Sequence, residues 1–405
     1  MIMPNPRHLQ AFCAVAESHS VSLAAQHIFL SQPAVSQAIT KVESAVQAPL
    51  FERHSRGMSL TDAGRLFHDR ARRALEYLAT GTKEVARIGE RRSGRRIAPH
   101  HLLSRAQLRA LTALSTTTSY AMAARSLGIS QPSLHEAAHG LESLLEVRLF
   151  EKASRGTVLT RSGEILSQHV KLAFAEIEQG FAEVAELHGN QRGPIRIGTM
   201  PLARSFILPA AIHALVREQP GVRISVIDGP YSALLRGLRC GEIDILIGAL
   251  RSPEPAEDVI QHTLFDDSLV IVGRSGHPLA KKNRISPSEL MKYPWVVAHK
   301  ETPTRAQFDD MINTLGLREP TSFIESGSLV LIRCLLMESD MLALISAQQI
   351  QYERAMGSLV ILPVDFSNFD HAVTRPIGLT LRRNWRPTRT QKKFLQHVRE
   401  ATASL

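Results

Sequence analysis

The sequence predicts a multidomain chain: two copies of a small, mainly helical unit, each with a short two-stranded hairpin, followed by an α/β half built on parallel strands. Three observations carry this. Leu9 to Gly64 aligns with Leu108 to Gly163 at a constant offset of 99 residues without a gap, and 21 of the 56 pairs are identical. A fixed offset means that one folded unit was used twice. From Pro194 onward, short apolar runs alternate with helix-period segments, the pattern of a sheet covered by helices. The 405 residues, 44% hydrophobic and 21% charged, are ordinary for globular domains with their own cores.

In the first copy Leu9, Phe12, Val15 and Ala16 recur at helical spacing, so a helix is expected over Pro6 to Ser18. Ser20 or Ser22 caps a short second helix from Ser22 to Ile28, where Ala24-Ala25 let a neighbour approach closely. Ser31 caps a third, Gln32 to Ala45. Pro33 sits in its first turn, where a missing N–H costs nothing. Val35, Ile39 and Val42 line its buried face. Pro49 to Arg53 and Met58 to Thr61 read as two strands around Ser55-Arg56-Gly57, a wing, and Thr61 caps the helix that follows.

Helix, helix, turn, helix, wing is an order that places the third helix in the major groove of DNA. Gln32 and Gln37 can pair with adenine, and Ser36 and Thr40 can reach bases or phosphates. Lys41, Arg53 and Arg56 are placed for phosphates or for the minor groove beside the wing, with Ser31, Pro33, Ala34 and Thr61 at the same surface. The alternative is that these small polar residues only keep an exposed helix soluble.

The string Leu9-x-x-Phe12, Ala24-Ala25, Leu30 to Ser36, Ile39, Glu43, Leu50 to Arg53 and Leu60-Thr61-x-x-Gly64 resembles the DNA-binding domain of LysR-type transcriptional regulators. The resemblance implies a winged helix-turn-helix over 4–64 and a dimerising linker helix over Leu66 to Ile88. The second copy, 102–163, keeps the framework (Ser130-Gln131-Pro132, Leu149 to Lys152, Leu159-Thr160) but departs at the reading helix. There Ser36-Gln37 becomes His135-Glu136 and Thr40-Lys41 becomes His139-Gly140. Ser130, Gln131, Ser133, His135, Lys152 and Arg155 are its candidate DNA contacts. Two readings stay open: a second reader, weaker or of different specificity, or a mainly structural or dimerising module. The charge is uneven in the same sense, net +6 over Arg7 to Arg96 and zero over Leu102 to Arg192. A basic first unit suits a polyanion.

Residues 65–101 read as a linker helix and a basic connector ending in Gly89 to Arg96, and 164–192 as a second linker helix with an apolar stripe from Ile165 to Leu187. The remainder, 193–405, starts strand, helix, strand, helix, strand: Ile195 to Gly198, Leu208 to Glu218, Val222 to Ile227, Ser232 to Cys240, Ile243 to Gly248. Continuous apolar strands indicate a parallel sheet with ligands at its carboxyl ends. Leu208-Pro209, Gly241 to Asp244, Leu269 to Val272, His277-Pro278-Leu279 and Trp295 to Val297 resemble the effector domain of the same family, which is similar to periplasmic solute-binding proteins. This implies two lobes, 194–267 with 367–405, and 268–366, and an effector in the cleft between them. Thr199, Met200, Pro201, Leu202, Gly248, Thr302, Thr304 and Ser326 match cleft positions; the plain alternative is that the Ser and Thr residues are only helix caps. The string Gly248 to Arg251 with Gly273-Arg274-x-x-His277-Pro278-Leu279 is closest to the subgroup regulating sugar uptake and aromatic-acid catabolism.

No nucleophile–base pair, phosphate loop or metal spacing is present, so neither an enzyme nor a cofactor is expected. Cys240 and Cys334 lie in apolar helices and read as buried thiols; with Cys13 they form no disulfide framework. No secretion signal and no membrane span are seen, which points to the cytoplasm. The expected partners are double-stranded DNA, a small effector (a sugar, an aromatic acid or another organic acid), further copies as dimer or tetramer, and RNA polymerase. The remaining class is a winged-helix scaffold or ligand-binding protein with little direct DNA readout.

Overall fold

The computed structural model describes residues 3–55, 57–90, 100–154, 156–189, 193–318, 320, 322–364 and 374–403. Arg56, Arg155 and most of the basic connector lie outside these. The first unit comprises α1 (Pro6–Ser18), α2 (Val21–His27), α3 (Gln32–Val46), β1 (Phe51–His54) and β2 (Gly57–Leu60), and leads into α4 (Asp62–Glu90). The second repeats it as α5 (Arg105–Leu114), α6 (Tyr120–Leu127), α7 (Gln131–Leu145), β3 (Phe150–Ala153) and β4 (Gly156–Leu159), then α8 (Arg161–Leu187).

The two units share their tie points. Glu43 Oε1 accepts from the Leu50 and Phe51 N–H groups, and Glu142 Oε1 does the same for Leu149 and Phe150. This locks each reading helix to its wing. Wing registers are the same, Phe51↔Leu60 and Phe150↔Leu159. Each wing turns back at a glycine of positive φ, Gly57 at 132° and Gly156 at 119°. A Cβ there would stand 2.6 Å from the His19 carbonyl oxygen or 2.3 Å from that of Thr118, which accept from Met58 and Thr157 N–H. Only glycine admits that approach.

The helices α4 and α8 pack antiparallel on each other within the one chain. Phe67 stacks on Phe181 with ring centroids 5.6 Å apart, and Phe67, Ala71, Ala74, Leu78, Leu166, Val170, Ala173 and Ile177 are buried in one core. The apolar stripe read on α8, which is apolar enough to pair with another chain, is thus covered by α4 of the same chain.

The C-terminal half runs β5 (Pro194–Thr199), α9 (Pro201–Ser205), α10 (Ile207–Glu218), β6 (Arg223–Asp228), α11 (Tyr231–Arg239), β7 (Ile245–Ala249) and β8 (Val259–Arg274). It continues with α12 (Pro287–Leu290), β9 (Trp295–Val297), α13 (Pro303–Thr314), β10 (Phe323–Glu325), α14 (Leu329–Glu338), β11 (Leu342–Ser346), α15 (Gln351–Ala355), β12 (Leu359–Ile361), β13 (Thr374–Arg382) and α16 (Arg389–Thr402). The strand order is β10-β9-β11-β8-β13-β7-β5-β6, with β12 on β8. The sheet is not purely parallel, as its first strands alone suggest. β13 runs antiparallel to both β7 and β8, and β11 antiparallel to β8, because the chain crosses between two cores and returns. One core holds Ile195, Ile197, Leu208, Ile247, Leu379 and Phe394; others hold Leu269, Ile271, Trp295, Phe308, Val296 and Leu336. The 16-residue β8 spans both, changing core near Asp267.

Candidate nucleic-acid interface and effector cleft

Ser31 starts α3 by accepting the Ala34 N–H, and Pro33 fills the first turn. Val35, Ala38, Ile39 and Val42 turn inward, so Gln32, Ser36, Gln37, Thr40 and Lys41 all stand exposed on the opposite face. Arg53 is exposed on β1, and a groove between helix and wing is lined by Gln32, Pro33, Ser36, Arg53, His54 and Gly57. Amides, hydroxyls and two cations thus share one open face, with Ala34 half-buried at its edge. Thr40 Oγ1 donates back to the Ser36 carbonyl at 3.1 Å.

Thr61 is tied into the fold at the base of the wing. Its hydroxyl donates to the Pro49 carbonyl at 2.8 Å and accepts the Gly64 N–H at 2.9 Å, and Thr160 makes the matching bonds to Arg148 and Gly163. Its role is to cap α4 and hold the wing.

In the second copy Gln131, Ser133, His135, Glu136 and His139 are exposed on α7, with Lys152 on β3. Ser130 caps α7, and its hydroxyl is also bonded to that of Ser133 at 2.8 Å, so these two serines satisfy each other. The His135 ring stacks on Tyr120, centroids 3.8 Å apart and 5° from parallel. Tyr120 stands where the first copy has Val21. The substitutions at Ser36 and Val21 are therefore one change, an aromatic pair in place of an open helix start.

The cleft between the two C-terminal cores is lined by Met200, Pro201 and Leu202 from one side and Thr302, Thr304 and Ser326 from the other. Two expected residues are elsewhere. Thr199 is 1% exposed, ends β5 and bonds locally to the Met200 carbonyl. Gly248 faces Met200: a Cβ on it would lie 2.3 Å from Met200 Cγ, so the space left by the glycine is filled by a side chain.

The cleft also holds residues that sequence spacing did not assign to it: Arg251, Arg375, His299 and Gln349. Arg375 bonds Asp267 at 3.0 Å and the Thr304 hydroxyl, joining the two lobes. Asp267 is 2% exposed and also accepts from Ser346 Oγ; burial raises its pKa, opposed by Arg375. Arg251 lies 4.6 Å from the Tyr231 ring centre, and no carboxylate among the described residues pairs with it. Burial lowers the pKa of both guanidinium groups, opposed by Asp267 at Arg375 and by Tyr231 at Arg251. An arginine stays charged through such shifts, so the cleft is a cationic, half-dry place. His299 Nδ1 lies 2.9 Å from Glu325, which Arg305 also meets, at 3.2 Å.

His277 is buried between the Leu279 N–H and the Asp340 carbonyl and is structural. Contrary to expectation, Cys334 is exposed, on the outer face of α14 beside Val330 and Met337, and Cys240 is only half-buried, just past the end of α11; Cys13 is buried. Among the described residues no helix is long and apolar enough to cross a membrane.

Known proteins share this layout. The family model "Bacterial regulatory helix-turn-helix protein, lysR family" matches twice, over residues 6–65 and 106–164, and "LysR substrate binding domain" matches residues 188–403. The transcriptional regulator GalR of Pseudomonas putida is 33% identical, covering 94% of this chain and 93% of its own. PcaQ of Agrobacterium fabrum is 27% identical over 70% of this chain and 90% of its own. Among solved structures, ArgP from Mycobacterium tuberculosis has a TM-score of 0.56 at 16% identity, over 74% of this chain and 97% of its own. A full-length OxyR, a single-residue variant from Pseudomonas aeruginosa, has 0.53 at 22%, over 73% and 93%. These two likenesses show the fold. The chain belongs to the LysR family: it is a DNA-binding, effector-responsive, oligomer-forming transcriptional regulator and not an enzyme, with a duplicated helix-turn-helix domain.

Proposed function

We propose that the first unit, 4–64, is the sequence-reading domain, that 193–405 is the sensing domain with lobes 194–267 plus 367–405 and 268–366, and that the effector is a small organic anion. The observation that carries the last point is the pair of cationic side chains in the cleft, one of which, Arg251, lacks a carboxylate partner among the described residues. A guanidinium fork suits a carboxylate, while Thr302, Thr304 and Ser326 supply neutral hydrogen bonds. A neutral sugar would leave the Arg251 charge without an opposite charge beside it. Names of relatives agree only in being regulators, so the choice rests on the cleft.

On DNA, Gln32 and Gln37 read base edges, Ser36 and Thr40 bases or phosphates, and Lys41 and Arg53 phosphates. The protein works in the cytoplasm, where it reaches the promoter and RNA polymerase. The effector favours one arrangement of the lobes, and that difference in affinity is what shifts the DNA-bound state. The test is footprinting on the DNA upstream of its own gene with Ser36→Glu and Gln37→Glu combined. Loss of protection with an unchanged circular dichroism spectrum is expected. Unaltered protection would overturn α3 as the reader.

A further inference from the structure

Contacts between α4 and α8 come in mated pairs at the 99-residue offset. Gly81 of α4 faces His169 of α8, and Gly180 of α8 faces Arg70 of α4. Gly180 is the repeat of Gly81, and His169 the repeat of Arg70. Each glycine sits where a Cβ would come within 2.7 or 3.0 Å of the opposite Cβ, so the helices touch backbone to side chain at two matched places. The ion pairs obey the same relation: His169 with Glu84 at 3.2 Å answers Arg70 with Glu183 at 2.6 Å. So do Tyr77 beside His169 and Glu176 beside Arg70. Exchanging the two helices maps these contacts onto one another. This is a two-fold relation inside one chain.

A two-fold pair of reading heads fits a duplex with two half-sites, because the operator mirrors the symmetry of the protein. Here the heads are unlike. On α7, Glu136 replaces Gln37 and can accept from a cytosine amine but not pair with adenine. His135 is held against Tyr120, and Gly140 removes the cation of Lys41.

We propose that one chain is by itself a complete two-headed DNA reader. α4 and α8 pair within the chain, and α3 and α7 address the two unlike halves of a single asymmetric duplex site. The second head rests on the reading of α3 given above; the internal pairing does not. Further copies then join through surfaces other than the α4–α8 seam.

The pairing is tested without DNA, so its failure is distinct from failure of the reading. Full-length protein carrying Cys334→Ser and Cys240→Ala receives Gly81→Cys with His169→Cys, is oxidised at nanomolar concentration and is run on a denaturing, non-reducing gel. A disulfide needs Cβ atoms about 3.5–4.5 Å apart, a shift of about an ångström from the present approach. The expected product is a chain of unit mass with altered mobility at every protein concentration. A band of twice that mass would show the seam to join two chains and would overturn the proposal. A second pair, Phe67→Cys with Phe181→Cys, repeats the measurement at the other end. No bridge at either pair in protein of unchanged circular dichroism also overturns it. For the unaltered chain, isotope-labelled and unlabelled protein are refolded together and cross-linked with formaldehyde. Linked α4–α8 peptides of single isotope composition are expected, and mixed ones count against.

Discussion

Arg70 on α4 and Glu176 on α8 meet at 2.8 Å, with 4% and 7% of their side chains exposed, although 106 residues separate them. The same guanidinium reaches Glu183 at 2.6 Å, Gln179 at 2.8 Å and the Arg386 carbonyl at 2.8 Å. Burial acts to lower its pKa, and Glu183 and Glu176 more than reverse this, leaving it raised. One side chain on α4 therefore fastens that helix to α8 and to the sensing domain. Gln179 passes the connection on to Asp244, which holds the Arg196 N–H at 2.9 Å.

Removing that cation takes the ion pair from Glu183 and leaves Glu176 only its 2.9 Å pair with Arg73 in a largely dry seam. Arg70→Met is expected to destabilise the linker pair by about 3–5 kcal/mol, the usual cost of orphaning a buried charge. A double variant that also replaces Glu183 with leucine should recover much of the loss, since Glu176 keeps its pair with Arg73. Thermal unfolding followed by far-ultraviolet circular dichroism measures both. Equal stability of the single variant and the wild type would mean that water reaches the seam.

In the cleft, Arg251→Ala should weaken effector binding about ten- to hundredfold, the value of one charge-assisted hydrogen bond of about 1.5–3 kcal/mol. Operator affinity without effector should stay the same, since Arg251 touches no element of the DNA-binding units among its described contacts. Calorimetry with a panel of small carboxylates and neutral sugars reads the first part, and a gel-shift titration the second. Tight binding of a neutral sugar, indifferent to this substitution, would refute the anionic assignment.

The repeat and the helix periods were legible because they are local. α1 spans the predicted Pro6–Ser18 and α3 ends one residue later than expected. What stayed hidden is long-range. An apolar stripe such as Val170, Ala173 and Ile177 says that a partner helix exists, not that it lies in the same chain. The place where β13 returns beside β7 is a pairing of segments more than 120 residues apart, which no strand pattern specifies. Arg251 and Arg375 were missed since a lone arginine has no spacing; only the fold aims both at one cleft. The capping role of Thr61 is legible, but the bond of its hydroxyl to Pro49, twelve residues back, is not.

His277 gives a prediction in pH. Nδ1 accepts the Leu279 N–H at 3.1 Å, so the proton sits on Nε2 and donates to the Asp340 carbonyl at 3.2 Å. Burial lowers its pKa, with Asp340 opposing and Arg274 adding to the effect. The folded state thus keeps the ring neutral, whereas the unfolded chain takes up a proton near the ordinary 6.5. Its contribution to stability is present above that value and is lost as pH falls through it toward the lower folded pKa. His277→Asn retains an acceptor but no titration, so its loss of melting temperature relative to wild type should be larger in mildly alkaline than in mildly acidic buffer. An offset constant across that range would show that the ring is not held neutral.

The two reading helices make the last prediction, a conversion. His135→Ser and Glu136→Gln, made together with Tyr120→Val, turn the start of α7 into that of α3. Each bidentate amide contact is worth about 1–3 kcal/mol of discrimination between bases. The wild type should prefer its native site over an inverted repeat of the half that α3 protects. The converted chain should reverse that order, gaining about tenfold or more on the repeat while losing on the native site. Competition gel shifts at fixed salt decide it, salt being held because the phosphate term is common to both sites. If conversion leaves the ratio of the two affinities where it was, α7 does not read bases, and the second unit serves only to complete the linker-helix pair.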